Sequence, residues 1–94
     1  MEIPLQITLR EMGRSEALAA RIRSGAGRLE RLHPGIAGCR VVVEEAHRHP
    51  GREFSVQVEV HILGRETRVS TACRSADVYV AVRDAFEAVR RQFG

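Results

Sequence analysis

The chain has no lysine. All 15 basic residues among its 94 are arginine, set against 12 acidic residues for a formal net charge of +3. Cysteine is scarce too. Cys39 and Cys73 are too few for a disulfide scaffold, and the CxxC spacing of a zinc or redox site does not occur. Both are expected as buried free thiols in a reducing cytoplasm. No apolar run reaches the ~18 residues of a membrane span, and the start lacks the basic and apolar blocks of a secretory signal. A soluble, cytoplasmic protein is expected.

Catalytic machinery is missing as well. Asp77 and Asp84 have no neighbour placed to shift a pKa, no glycine-rich loop can cradle a phosphate, and serine, histidine and cysteine form no nucleophile motif. The two imidazoles of His47-Arg48-His49 do not by themselves make a metal site, and His33 and His61 do not converge on them. They read as loop residues, with Arg48 and Arg52 making a phosphate contact the better functional guess for that turn. The expectation is a protein that is no enzyme, with no metal, no cofactor and no small-molecule substrate.

What is present is a folded domain. An apolar share of 44% with 29% charged residues is the balance of an ordinary globular chain and argues against disorder. A chain of this length makes one domain, 1–94, with one modest core and no deep substrate cavity. No internal repeat, low-complexity tract or linker divides it.

Hydrophobic periodicity supplies the elements. Ile3, Leu5, Ile7 and Leu9 alternate with polar residues over 2–10, a half-buried strand in which Pro4 suggests an edge position. Ser15 reads as an N-cap, and Leu18, Ile22, Gly25 with Ala26, Leu29 and Leu32 follow at helical spacing. Gly25 and Gly27 each cost about 1 kcal/mol there, so the second half of this helix is expected to be weak or bent before His33-Pro34-Gly35 ends it. Cys39, Val41 and Val43 mark a second strand, 47–52 a turn, and Phe54, Val56, Val58, Val60 and Ile62 a third strand. Gly64 turns the chain into a short fourth, Glu66 to Cys73, with Val69 and Thr71 inward. Ser75 is expected to cap a second helix with Asp77 in its first turn and a buried stripe of Val78, Val82, Ala85, Phe86, Val89 and Phe93.

The order β-α-β-β-β-α predicts an α+β fold: a two-layer sandwich of a four-stranded mixed sheet with both helices on one face. The crossover makes the first two strands parallel, and the short turns make the other pairs antiparallel.

On this frame the arginines cluster. At about 100° per residue, Arg14, Arg21, Arg28 and Arg31 fall along one flank of the first helix. Arg83 and Arg90 share a flank of the second, and Arg91 lies on the other. Helices covering one sheet face can line a joint basic surface, and guanidinium grips phosphate bidentately and stacks on bases. The competing reading is a solvated face, since Glu87 lies within helical reach of Arg83 and Arg90, and Glu16 and Glu30 dilute the first helix.

Two motifs favour the nucleic-acid reading. Ser15-Glu16-Ala17-Leu18 with Arg28-Leu29-Glu30-Arg31-Leu32 resembles the first helix of the ribosome hibernation promoting factor and ribosome-associated inhibitor family. Asp77, Tyr79, Ala81 and Val82, with Arg91-Gln92-Phe93, resemble that family's second-helix signature. The resemblance covers essentially the whole chain. It implies a factor of the stationary phase or stress response that binds ribosomal RNA in the decoding region of the small subunit and blocks messenger and transfer RNA. Arg28, Arg31 and Arg91 match basic positions of the motifs. Arg14, Arg21, Arg83 and Arg90 rest on helix geometry. Gly25 and Ala88 stand where lysine is usual, Arg83 where an acid is, and neither a lysine-rich tail nor a second domain follows, as in a short-form member. The rival readings are a double-stranded-RNA-binding-like domain, against which the N-terminal strand and the missing lysine loop weigh, and a protein-interaction module without ribosome binding. Tyr79 could stack on a base but is expected to pack at the core margin.

Overall fold

The computed structural model describes residues 4–48, 51–62, 64 and 68–92, and of His47, Arg48, Arg52 and Arg68 it describes the backbone only. The elements are β1 (Leu5–Arg10), α1 (Glu16–Leu32), β2 (Ile36–Arg48), β3 (Gly51–Ile62), β4 (Arg68–Ser75) and α2 (Val78–Gln92). The sheet order is β1-β2-β3-β4. β1 runs parallel to β2, from Leu5 opposite Cys39 to Arg10 opposite Glu44, and the β2–β3 and β3–β4 pairs are antiparallel. This is the α+β sandwich that the alternation and the connection lengths predict. α1 packs over β1 and β2 and α2 over β3 and β4, and among the described residues nothing covers the other sheet face.

The core is the meeting of one sheet face with two helical stripes. Val41, Val43, Val56, Val58 and Val60 are fully buried under Leu18, Ile22, Ala26 and Leu29 of α1 and Ala81, Val82, Ala85 and Val89 of α2. Each buried valine or leucine contributes about 1.5–3 kcal/mol relative to exposure, and β-branched valine also suits the pleated backbone. Thr71 is half-buried on the inward face and donates its hydroxyl to the Ala85 carbonyl at 3.0 Å, tying α2 to β4. Glu45 carries the same inward row on past Val43, opposite Phe54, and is buried. Cys39 is buried and Cys73 half-exposed, both as free thiols. Burial pushes the Cys39 thiol up to about 11.

Pro4 precedes an edge strand, as its missing N–H requires, and its carbonyl accepts from the Cys39 N–H at 3.0 Å. Ser15 caps α1, its Oγ accepting from the Leu18 N–H at 3.2 Å. α1 runs unbroken through Gly25 and Gly27 to Leu32, so the expected weakening does not interrupt it. Gly25 has a packing reason: a Cβ there would lie 2.8 Å from two atoms of the Phe86 ring, whereas one at Gly27 would meet nothing within 4 Å.

Several boundaries differ from the sequence expectation. The turn over 47–52 is shorter, because Arg48 pairs with Gly51 and both belong to the ladder. β4 starts at Arg68 and continues to Ser75, while Glu66 and Thr67 lie outside the described residues, as do Ile3, His49 and Phe93. Ser75 ends β4 instead of capping α2. Asp77 is the cap: its Oδ1 accepts from the Tyr79 N–H at 2.9 Å, and the Ser75 hydroxyl accepts from the Asp77 N–H at 3.1 Å. The shorter reach of aspartate at the residue immediately before the helix wins over a serine two positions earlier. Arg14 lies ahead of the cap and so is not on the α1 flank.

Candidate functional site

α1 and α2 lie side by side on the sheet, and between them runs an open groove of about 300 Å³. Arg21 and Arg28 stand on its α1 rim and Arg83 and Arg90 on its α2 rim; Gly25, Leu29, Leu32, Val82 and Phe86 form the floor and walls. All four arginines are exposed. The helical wheel accounts for the arrangement. Arg21 and Arg28 are seven residues apart on α1, as are Arg83 and Arg90 on α2, and a step of seven returns to nearly the same angle. The flanks that carry them face each other because both stripes point down at one sheet.

The guanidinium groups are held in different ways. Arg21 stacks over the Tyr79 ring at 5.2 Å, a cation–π contact across the two helices. Tyr79 is itself half-buried against the core, as expected. Arg90 donates to Glu87 at 2.9 Å and Arg83 to its neighbour Asp84 at 3.3 Å. Both pairs are well exposed, so they orient the side chains more than they stabilise the fold. The hydrogen bond and charge of Arg90, with the fields of Arg91 and Arg28, hold the Glu87 carboxyl below its ordinary range. Arg28 makes no ion pair with another described residue and is available to an incoming anion.

The remaining sequence candidates are not part of the groove. Arg31 is exposed on the back of α1, about 60° beyond Arg28 on the wheel. Arg91 is exposed about 100° round α2 from Arg90 and does not line the groove, and Arg14 is exposed ahead of α1. The four arginines brought together are therefore Arg28, which a motif supports, and Arg21, Arg83 and Arg90, which helix geometry alone picked out. Leu32 was expected in the buried stripe and is instead 57% exposed at one end of the groove. It stands roughly 75° from the centre of the buried stripe at ~100° per residue, and that angle was the signal that could have placed it.

Among the described residues no group of three or more His, Cys, Asp or Glu side chains is arranged to hold a metal ion. No described helix is long and apolar enough to cross a membrane.

The uncovered sheet face also carries arginine, in a different setting. Arg40 on β2 stands in register with Glu59 on β3, and Arg10 on β1 with Glu44 on β2. Gln57 donates to Ser70 across β3 and β4 at 3.2 Å. Opposite charges directly across a ladder offset one another.

A family model described as Sigma 54 modulation protein / S30EA ribosomal protein matches residues 5–93. Among solved structures the chain is similar to a ribosomal subunit interface protein from Coxiella burnetii, with a TM-score of 0.82 at 17% identity, covering 96% of this chain and 92% of that one. It is likewise similar to the Protein Y N-terminal domain of Thermus thermophilus, with a TM-score of 0.78 at 22% identity, covering 98% and 94%. At such identities the likeness carries the fold. Among curated proteins no sequence matches the chain.

Proposed function

Because the chain belongs to the Sigma 54 modulation protein / S30EA ribosomal protein family, we propose that it is a ribosome-associated hibernation factor of the cytoplasm that lays its helical face on small-subunit ribosomal RNA. Bound in the decoding region, it keeps messenger and transfer RNA out by shape and charge, with no bond made or broken. The observation that carries this reading is the four-arginine groove. Cations fixed on two rigid helices match an array of phosphates, and each guanidinium can grip a phosphate through two parallel hydrogen bonds. The family membership supplies the ribosome as the source of that RNA.

Mechanism then follows from electrostatics. Each neutralised phosphate releases condensed counterions, so affinity falls with a log–log salt slope of about 0.7–0.9 per contact. Four groove arginines imply a slope of roughly −3 to −4, or a loss on the order of a hundredfold between 50 and 200 mM salt. Co-sedimentation with purified small subunits at these two concentrations tests the reading. Retention at low salt that is lost at high salt is the expected result, and absence from the subunit fraction at both sinks it.

A further inference from the structure

We infer that the groove between α1 and α2 seats one unstacked nucleotide of a bound RNA chain, its base against Leu32 and the floor and its flanking phosphates on the rim arginines. This rests on the RNA-binding reading above and adds to it. Phosphate contacts alone need only a basic surface, whereas this surface has a recess with a carbon-lined bottom.

Three observations select the occupant. The first is size. A volume of about 300 Å³ is at the lower limit of the ~300–1,000 Å³ of small-ligand sites. A partner helix, ~10–12 Å across with its side chains, needs far more room. The second is the split between rim and floor. Arg21, Arg28, Arg83 and Arg90 ring the opening, while Val82 and Phe86 lie beneath and Leu32, 57% exposed, projects at one end. A nucleotide divides in the same way, into an anionic backbone and a flat base that gains from leaving water. The third is Glu87, a carboxylate among the lining residues, hydrogen-bonded to Arg90. It disfavours a phosphate in the recess and can accept from the amino group of a base.

The recess exists because of Gly25. Since a Cβ there would sit 2.8 Å from the Phe86 ring, the glycine lets that ring come up against α1 and close the bottom of the groove.

The test uses the full chain and two fluorescently labelled single-stranded RNAs of about six nucleotides, one intact and one with abasic sites on the same backbone. Both carry the same charge. In anisotropy titrations at low salt the intact strand should bind roughly fivefold to tenfold tighter, with the same salt slope. Leu32→Ser, an exposed position whose folding is checked by circular dichroism, should remove that advantage and leave the abasic strand's affinity unchanged. Equal affinity for both strands, with the salt dependence intact, overturns the base seat and leaves the RNA-binding reading standing. Loss of both strands to the same degree in Leu32→Ser also overturns it. Displacement of the intact strand by free nucleoside monophosphate at comparable concentration would make this a free-nucleotide site and overturn the proposal. Failure to bind either strand overturns the base seat, while the ribosome-binding reading stands or falls separately on co-sedimentation with small subunits.

Discussion

The helical face and the uncovered sheet face are both built on arginine, yet they differ in what surrounds it. On the sheet, Arg10 and Arg40 stand in register with Glu44 and Glu59, and the ladder spacing keeps opposite charges adjacent. On the helices, Arg21, Arg28, Arg83 and Arg90 converge on one recess. Arg83 and Arg90 are tied to carboxylates of their own helix, Arg21 rests on an aromatic ring, and Arg28, like Arg10 and Arg40 on the sheet, has no ion-pair partner among the described residues. The lesson is that arginine content does not locate a binding surface. The placement on the element does, because Arg10 and Arg40 are spread along strands with an acid in register beside each, while two helix flanks bring four arginines to one recess.

The largest effect should come from breaking this difference directly. Arg21→Glu with Arg28→Glu and Arg10→Glu with Arg40→Glu change the net charge equally but act on opposite faces. The first pair should weaken small-subunit binding about a hundredfold or more, and the second within about threefold, in quantitative co-sedimentation at low salt. Equal losses would mean that net charge, and not the groove, determines binding.

A second contrast concerns the two glycines of α1. Gly25→Val drives a side chain into Phe86 and should cost about 1–3 kcal/mol by overpacking. Gly27→Ala meets no atom and should gain up to about 1 kcal/mol from helix propensity. Urea midpoints at constant m-value measure both. A neutral Gly25→Val would remove the reason given for glycine at that position.

The smallest effect separates the two thiols. Burial favours the neutral form of Cys39, so with its pKa near 11 about one molecule in a thousand carries the reactive thiolate at pH 8. A disulfide reagent at that pH should label half-exposed Cys73 first and Cys39 only when denaturant opens the core. Equal labelling rates in the native protein would contradict the burial of Cys39.

Much of this fold was legible in the residues. Alternating valines at 41, 43, 56, 58 and 60 can bury only as strands, and the crossover after the first strand sets the parallel pair. What escaped the sequence depended on distant contacts or on details of one turn. Ser75 and Asp77 are both good caps, and only the path of the chain leaving β4 chooses between them. Gly25 read as a weak point because its partner, Phe86, lies on the other helix. Arg31 and Arg91 carry motif support but stand outside the groove, whereas Arg21, Arg83 and Arg90 lack it and line the groove. Motif matching compares positions along one helix, while the groove is a relation between two.

The claim that the helical face binds decoding-region RNA is tested most directly by cryo-electron microscopy of the chain bound to small subunits. The account predicts density with α1 and α2 against ribosomal RNA in the decoding region, the Arg21, Arg28, Arg83 and Arg90 groove at the contact, and the outer sheet face turned away. Density with the sheet face against RNA, or with the chain at a site remote from decoding, would contradict it.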